Sequence, residues 1–382
     1  MKPNYKQGNI VNLMSSLLQG LGAHSRYPQL DRTLSKEIKK ASNVVLVVID
    51  GLGADSLRKL PQGSFLRKYY YRTLTTVFPS TTTAAITTFL TGVSPQEHGF
   101  VAWYMKLKEF GGEVVIILPY ITKEGKPLSH SVSLKMPRSL FEQVPVPTYL
   151  ILKRRYYESR YNHLLGGKAH FLGYRAAKLA EFAQATQKAI LSPGRKYIYT
   201  YWSRFDDLSH WYGKESREAR QHLWELDGAL ERLAGKLLGT NTLLLITADH
   251  GQISTTKEKT IILEQHPQFL NCLTASLCGE ARAAMFYVHP EKRKQFEQYV
   301  QKKWGNYCQL STSSELLQQG YFGLHQPHPS LKDRIGDYIL IPQSNYIFKE
   351  HTISKKHPFL VGHHGGLSRE EMEVPLVKVV LL

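Results

Sequence analysis

The sequence predicts an α/β fold: a mostly parallel central sheet with helices on both faces and one inserted region. Three observations point there. Residues 44–49 (VVLVVI), 196–202 (KYIYTYW) and 242–247 (TLLLIT) read as short core strands, the first a continuous β-branched and leucine run of the kind covered on both faces. Longer helical patterns stand between them, as in parallel sheets built from crossovers. The chain has 382 residues, 42% of them hydrophobic, enough for one large domain or two smaller ones.

Residues 1 to about 40 read as one amphipathic helix followed by a basic connector, SKEIKKASN. The strand at 44–49 then runs into Asp50 and Gly51. Ligands of open parallel sheets gather at the carboxyl ends of strands, so Asp50 stands where chemistry is usually done. Residues 78–90 open with Pro79 and Ser80, continue through Thr81, Thr82 and Thr83, and show a helix-compatible apolar face closed by Gly92. A hydroxyl in that first turn would lie at the positive end of the helix dipole. From 101 to 175 periodicity is weak and Tyr, Lys, Arg, Pro and Gly are frequent. This stretch reads as an insertion, a cap facing the substrate, over a core formed by 1–100 and 176–382. Residues 176–191 form a helix. A leucine-bearing helix carries Leu223, Leu226, Leu230, Leu233 and Leu237 at spacings of three and four. Residues 268–308 mix a strand, AAMFYVH, with a charged helix, and the last strand expected, at 337–341, precedes a histidine-rich loop, HPFLVGHHGG.

Lys and Arg outnumber Asp and Glu by 49 to 31, a formal net charge of +18. That surface attracts polyanions: phosphate esters, nucleic acid or anionic membrane. The three cysteines, Cys272, Cys278 and Cys308, lack paired spacing, which argues against a disulfide framework or a thiolate zinc site and suits a reducing compartment. No run approaches the roughly 20 apolar residues of a membrane span, and the N-terminus is a poor signal peptide. The expectation is a soluble, cytoplasmic protein with no transmembrane segment. The sequence sets no oligomeric state.

Three strand ends thus carry Asp50, Asp206 with His210, and Asp249 with His250, and the late loop carries His363 and His364. Carboxylate and imidazole donors without cysteine suit zinc or another divalent ion such as manganese. Asp206 and His210, four apart, project the same way from a helical turn. Six donors and a hydroxyl suffice for two ions. Taken singly each has a plainer reading: Asp50 as a turn or helix cap, the threonines as N-caps, Asp207 as a neighbour of Asp206.

VVIDG, the hydroxyl helix ending in LTG, D-x-x-S-H-x-x-G, TADHG and HHGG occur in that order, and together resemble the alkaline phosphatase superfamily, specifically its type I phosphodiesterase and nucleotide pyrophosphatase branch. The resemblance covers residues 43–99 and 197–382 and implies an alkaline-phosphatase-like core with two divalent metal ions, zinc or alternatively manganese. It implies one ion held by Asp206, His210 and His364, and the other by Asp50, Asp249 and His250. Thr82 would bridge toward them as the nucleophile and pass through a phospho-threonine. Counting ten residues back from Gly92 selects Thr82, with Thr81 and Ser80 as neighbours in the same cluster. His364 is preferred to His363 because the family pattern is His followed directly by Gly. His98 of QEHG, and Arg334, Gly336 and Asp337 of RIGDY, also match and read as structural.

The resemblance fixes the chemistry better than the substrate. It implies hydrolysis of anionic phosphate esters, diesters first and nucleotide derivatives among them, with phosphomonoester hydrolysis as the near alternative. A sulfatase would want a modifiable cysteine or serine at position 82, and threonine stands there. The asparagine that the branch places about twenty residues after the nucleophile is missing from FVAWYMKLKEFGG. Lys153, Arg154, Arg155 and Arg160 interleave with Tyr149, Tyr156, Tyr157 and Tyr161, a composition suited to phosphates and a stacked base or, equally, to a solvated face over packed tyrosines. The competing class is a non-catalytic basic protein binding nucleic acid or a membrane surface. No specific nucleic-acid partner is expected.

Overall fold

A computed structural model of the chain describes residues 1–175, 178–350 and 359–382. Its centre is a seven-stranded sheet of β1 (Asn43–Ile49), β2 (Tyr70–Thr75), β3 (Thr148–Lys153), β4 (His170–Tyr174), β5 (Lys196–Trp202), β6 (Thr242–Thr247) and β7 (Glu373–Leu381), ordered β2-β7-β6-β1-β5-β3-β4. The five strands from β6 to β4 run parallel, and β7 and β2 join antiparallel at one edge. Every residue of β1, β5 and β6 is buried, which is why these strands read as unbroken apolar runs. Burying each such Val, Leu or Ile side chain contributes about 1.5–3 kcal/mol.

The register places the functional edge. Asn43 pairs with Lys196 on one side and Thr242 on the other, so the three strands start level and finish level, with Ile49 beside Trp202 and Val48 beside Thr247. The residues that follow emerge at one height. Helices surround the sheet: Ile10–Gly20 packs on Arg32–Lys40 and on Thr82–Thr91, while Leu179–Ile190 packs against β3, β5 and Arg217–Lys236.

A second seven-stranded sheet is antiparallel and joins Cys308–Thr312, Tyr338–Pro342, Ala283–Phe286, Cys278–Glu280, Tyr104–Leu107, Glu113–Ile116 and Ile121–Thr122. Helix Arg293–Trp304 covers it with an aromatic core of Phe269, Phe286, Phe296, Trp304 and Phe348.

The structure departs from the sequence expectations in three places. The stretch at 101–175 does not lie wholly over the core: its first strands complete the second sheet, and β3 and β4 extend the central one. Short strands flanked by Tyr, Lys and Arg hide their apolar faces, and β4 is a partly exposed edge strand, so periodicity was weak. The connector SKEIKKASN falls largely in the amphipathic helix Arg32–Lys40, which buries Leu34, Ser35 and Ile38. The strand β7 lies beyond the last one expected. The start of the 176–191 helix and residues 357–358 of the histidine-rich loop lie outside the described residues.

Candidate metal centre

Asp50 is the first residue past β1 and Asp249 the second past β6. Their carboxylates lie at the same height because the register is level. Asp249 Oδ1 accepts from the Gly51 amide at 3.1 Å and the His250 amide at 3.0 Å. Tyr201, from β5, donates its hydroxyl to Asp50 Oδ2. The remaining oxygens, Asp50 Oδ1 and Asp249 Oδ2, are buried with no hydrogen-bond partner among the described residues.

Helix Arg204–Tyr212 follows β5 and carries Asp206 and His210 one turn apart, with Asp206 Oδ2 at 3.1 Å from His210 Nε2. Gln252 donates to Asp206 Oδ1. Gly51 has φ +73°, and a Cβ there would lie 2.7 Å from Asp206 Oδ1, so only glycine lets the two strand ends approach this closely.

Three imidazoles are held alike. His210 Nδ1 faces the Gly362 carbonyl at 2.8 Å, His250 Nδ1 the Gly251 carbonyl at 3.0 Å, and His364 Nδ1 the Ser80 carbonyl at 3.1 Å. A carbonyl only accepts, so each Nδ1 carries a proton, which turns Nε2 of His250 and His364 toward the site as the ligating nitrogen, while Nε2 of His210 faces Asp206 Oδ2. His363 does the opposite and spends Nε2 on the Leu360 carbonyl. The rings of His250 and His364 stack with centroids 3.7 Å apart.

Two overlapping triplets of donor atoms lie within 4.8 Å of one another: Asp50, Asp249 and His250; and Asp206, His250 and His364. His250 belongs to both, and His210 stands beside Asp206. Burial, then Asp206 and Asp249, drives the Asp50 carboxyl well above its ordinary range. Burial also raises Asp249. Burial works against the charge on Asp206, yet His210 at hydrogen-bond distance, with His250 and His364, holds its carboxyl below the ordinary range. His210 is raised to about 9 against the effect of burial by Asp206. Burial and the neighbouring imidazoles push His364 well below its usual value. Three buried carboxylates and three oriented imidazoles, with no Lys or Arg paired to the carboxylates among the described residues, form a donor set suited to divalent cations.

The hydroxyl cluster divides three ways. Thr82 is the first residue of helix Thr82–Thr91, half-buried, with Oγ1 at 3.1 Å from His250 Nε2. Thr81, the N-cap, is fully buried and donates to Glu280 Oε1 at 2.5 Å. Ser80 donates to the Gly366 carbonyl at 2.8 Å and accepts from the Gly365 amide, tying the late loop to the helix. Tyr201, Gln252 and Glu280 were not singled out from the sequence. Gln252, two residues beyond TADH, and Tyr201, in alternation on β5, had weak signals, and Glu280 had none.

The other matched residues are structural. His98 donates to the Ala84 carbonyl through Nε2 and accepts from the Phe100 amide at Nδ1, bracing the threonine helix. Arg334 is buried and donates to the Gly99 carbonyl and to Glu109. Asp337 accepts from the Val288 amide and pairs with Arg293. Asp207 pairs with Lys153 at 3.3 Å. Of the interleaved tyrosines, Tyr161 is buried against Thr87, Tyr157 stacks on Phe171, and Tyr149 bonds Ser192. Tyr156 differs: it lies past the carboxyl end of β3, bonds Ser203, and has the Arg155 guanidinium 5.1 Å above its ring.

No helix among the described residues is long and apolar enough to cross a membrane. Sequence comparison with curated proteins gives no match. The chain resembles murine ectonucleotide pyrophosphatase/phosphodiesterase 5 (17% identity, 87% of each chain covered, TM-score 0.69). An inactive threonine-to-alanine variant of that protein in complex with AMP matches at 18% identity, with 87% of each chain covered and a TM-score of 0.67. Phosphonoacetate hydrolase from Sinorhizobium meliloti 1021, in complex with phosphonoformate, matches at 17% identity over 87% of this chain and 89% of its own, with a TM-score of 0.60. These neighbours share the fold of this chain. The family model for type I phosphodiesterase / nucleotide pyrophosphatase matches residues 44–116 and 121–367, and the chain belongs to that family.

Proposed function

We propose that the protein is a metal-dependent phosphodiesterase of nucleotide pyrophosphatase type that uses Thr82 as its nucleophile. The observation that carries this reading is the position of Thr82 Oγ1, 3.1 Å from His250 Nε2, which itself lies 3.4 Å from Asp50 Oδ1 and 3.7 Å from Asp249 Oδ2, two buried oxygens with no hydrogen-bond partner among the described residues, while its neighbours Ser80 and Thr81 are committed to other partners. Two divalent cations, zinc or manganese, held by Asp50, Asp206, His210, Asp249, His250 and His364, would make the threonine alkoxide accessible and offset the charge of the leaving oxygen.

The chain supplies position and orientation. Thr82 Oγ1 attacks phosphorus, an Oγ1–P bond forms, and the bond to the leaving alcohol breaks. Water then cleaves the phospho-threonine and releases a phosphomonoester with Thr82 restored. The first turn of helix Thr82–Thr91 presents amides that have no partner within the helix and would be available to an anionic phosphoryl group. Tyr201 and Gln252 fix the two carboxylates from behind, and the backbone carbonyls fix the imidazoles.

The AMP complex of the murine neighbour and the Arg155–Tyr156 pair at the sheet's carboxyl edge support a nucleotide-derived substrate. Three buried thiols without disulfide partners support a reducing, cytoplasmic setting. Metal analysis combined with hydrolysis of bis(p-nitrophenyl) phosphate, with and without chelator, tests the reading. Chelator-sensitive hydrolysis is expected. Metal-replete protein inert toward both diester and monoester would refute it and leave the basic binding protein.

A further inference from the structure

Glu280 is a buried acidic group bonded to the N-cap of helix Thr82–Thr91 that no part of this mechanism uses. It ends the strand Cys278–Glu280 of the second sheet and reaches the N-cap of helix Thr82–Thr91. Its Oε1 accepts from Thr81 Oγ1 at 2.5 Å and from the Trp103 amide at 2.6 Å. A Cβ on Gly365, whose φ is +115°, would lie 2.5 Å from Glu280 Cβ. Glu280 is therefore wedged between the residue before Thr82 and the residue after His364. No described group donates to Oε2 or pairs with the carboxylate as a cation. Burial pushes its carboxyl up to about 7, and His210 and Asp206 both act on it electrostatically. Trp103 lies in the segment that lacks the asparagine expected to hold a phosphoryl oxygen, and its backbone amide is taken by Glu280.

We propose that Glu280 sets the charge preference of the site, favouring a singly charged phosphodiester over a doubly charged phosphomonoester. The inference rests on the phosphohydrolase reading above. Each phosphoryl group must meet the two cations and the helix amides. The diester brings one negative charge and the monoester brings two. With a buried carboxylate anchored on Thr81, next to the proposed nucleophile, and no Lys or Arg among the described residues paired with it, the second charge is repelled in a desolvated setting, where Coulomb interactions are strong. A neutral amide at the same place would accept the same two hydrogen bonds without that repulsion.

The test compares the parent protein with Glu280→Gln, Glu280→Asp and Glu280→Ala, all metal-loaded and assayed at pH 9. The readout is the ratio of kcat/KM for p-nitrophenyl phosphate to that for bis(p-nitrophenyl) phosphate. Glu280→Gln keeps both accepted bonds, and its ratio should rise by about tenfold or more. Glu280→Asp keeps the charge and should keep the parent's ratio whatever its overall rate. Calorimetry with inorganic phosphate and dimethyl phosphate should show the same ordering, Glu280→Gln gaining affinity for the first relative to the second. If Glu280→Gln does not fold, Glu280→Ala carries the same expectation. A parent protein that hydrolyses the diester while the neutral variants leave both ratios within twofold overturns the role of Glu280 alone. A parent protein inert toward both substrates overturns the hydrolase reading and this inference with it.

Discussion

Thr81 and Thr82 are adjacent hydroxyls with opposite surroundings, and exchanging each for alanine should separate structure from chemistry. Thr82 Oγ1 is half-buried, and its one side-chain partner among the described residues is His250 Nε2. Removing it deletes the proposed nucleophile but leaves no buried charge unpaired, and alanine is a better helix former by a few tenths of a kcal/mol. Thr82→Ala should lose at least about 1,000-fold in turnover, ~4 kcal/mol of transition-state stabilisation, with folding stability within about 0.5 kcal/mol of the parent. Thr81 is fully buried and its hydroxyl answers a carboxylate. Losing a hydrogen bond to a charged group costs about 1.5–3 kcal/mol, so Thr81→Ala should be destabilised by that amount and still turn over at more than a tenth of the parent rate. Urea unfolding, steady-state hydrolysis of bis(p-nitrophenyl) phosphate and metal content give the three readouts, and the metal content of Thr82→Ala should stay close to that of the parent. Near-parental turnover by Thr82→Ala, or loss of turnover by Thr81→Ala at unchanged stability, would refute the assignment.

Four further outcomes are expected. Asp206→Ala or His364→Ala should lose one of the two metal ions by elemental analysis; two tightly held ions in either variant would contradict the proposed partition. In metal-free protein Asp50→Asn should be more stable than the parent near pH 8 by more than about 1 kcal/mol, because burial with Asp206 and Asp249 raises Asp50 above its unfolded value and its ionisation opposes folding. Burial lowers His98 to about 3, so the folded state binds its proton later than the unfolded state does. The stability held at neutral pH is lost as pH falls below about 6.5 toward 3, and His98→Asn should flatten the pH dependence between 6 and 4 by about 1.4 kcal/mol per pH unit in denaturant titrations. Arg282 donates to both oxygens of Glu371, with both side chains buried, and Glu371 accepts from the Gly366 amide. Arg282→Ala should lose about 3–5 kcal/mol of stability by leaving that carboxylate unpaired; a loss under 1 kcal/mol would show that the pair does not brace the late loop.

The sequence by itself determined the strands that build the site. Residues 44–49, 196–202 and 242–247 are covered on both faces, and burial on both faces writes itself as continuous apolar residues. It also offered the candidate donors, because ligand types at strand ends form local motifs: Asp50 with Gly51, Asp206 with His210, Asp249 with His250. Only the tertiary structure decided what those motifs share. The level register of β1, β5 and β6 brings Asp50, Asp206 and Asp249 to one point, and the backbone carbonyls that orient His210 and His364 come from Gly362 and Ser80, far away in the chain. The difference between Thr81 and Thr82 depends on Glu280, 199 residues from Thr81 and on another sheet. The split of 101–175 between two sheets depends on long-range strand pairing. A motif is a statement about neighbours in the chain, whereas a buried charge, its partner and its accessible oxygen are set by neighbours in space.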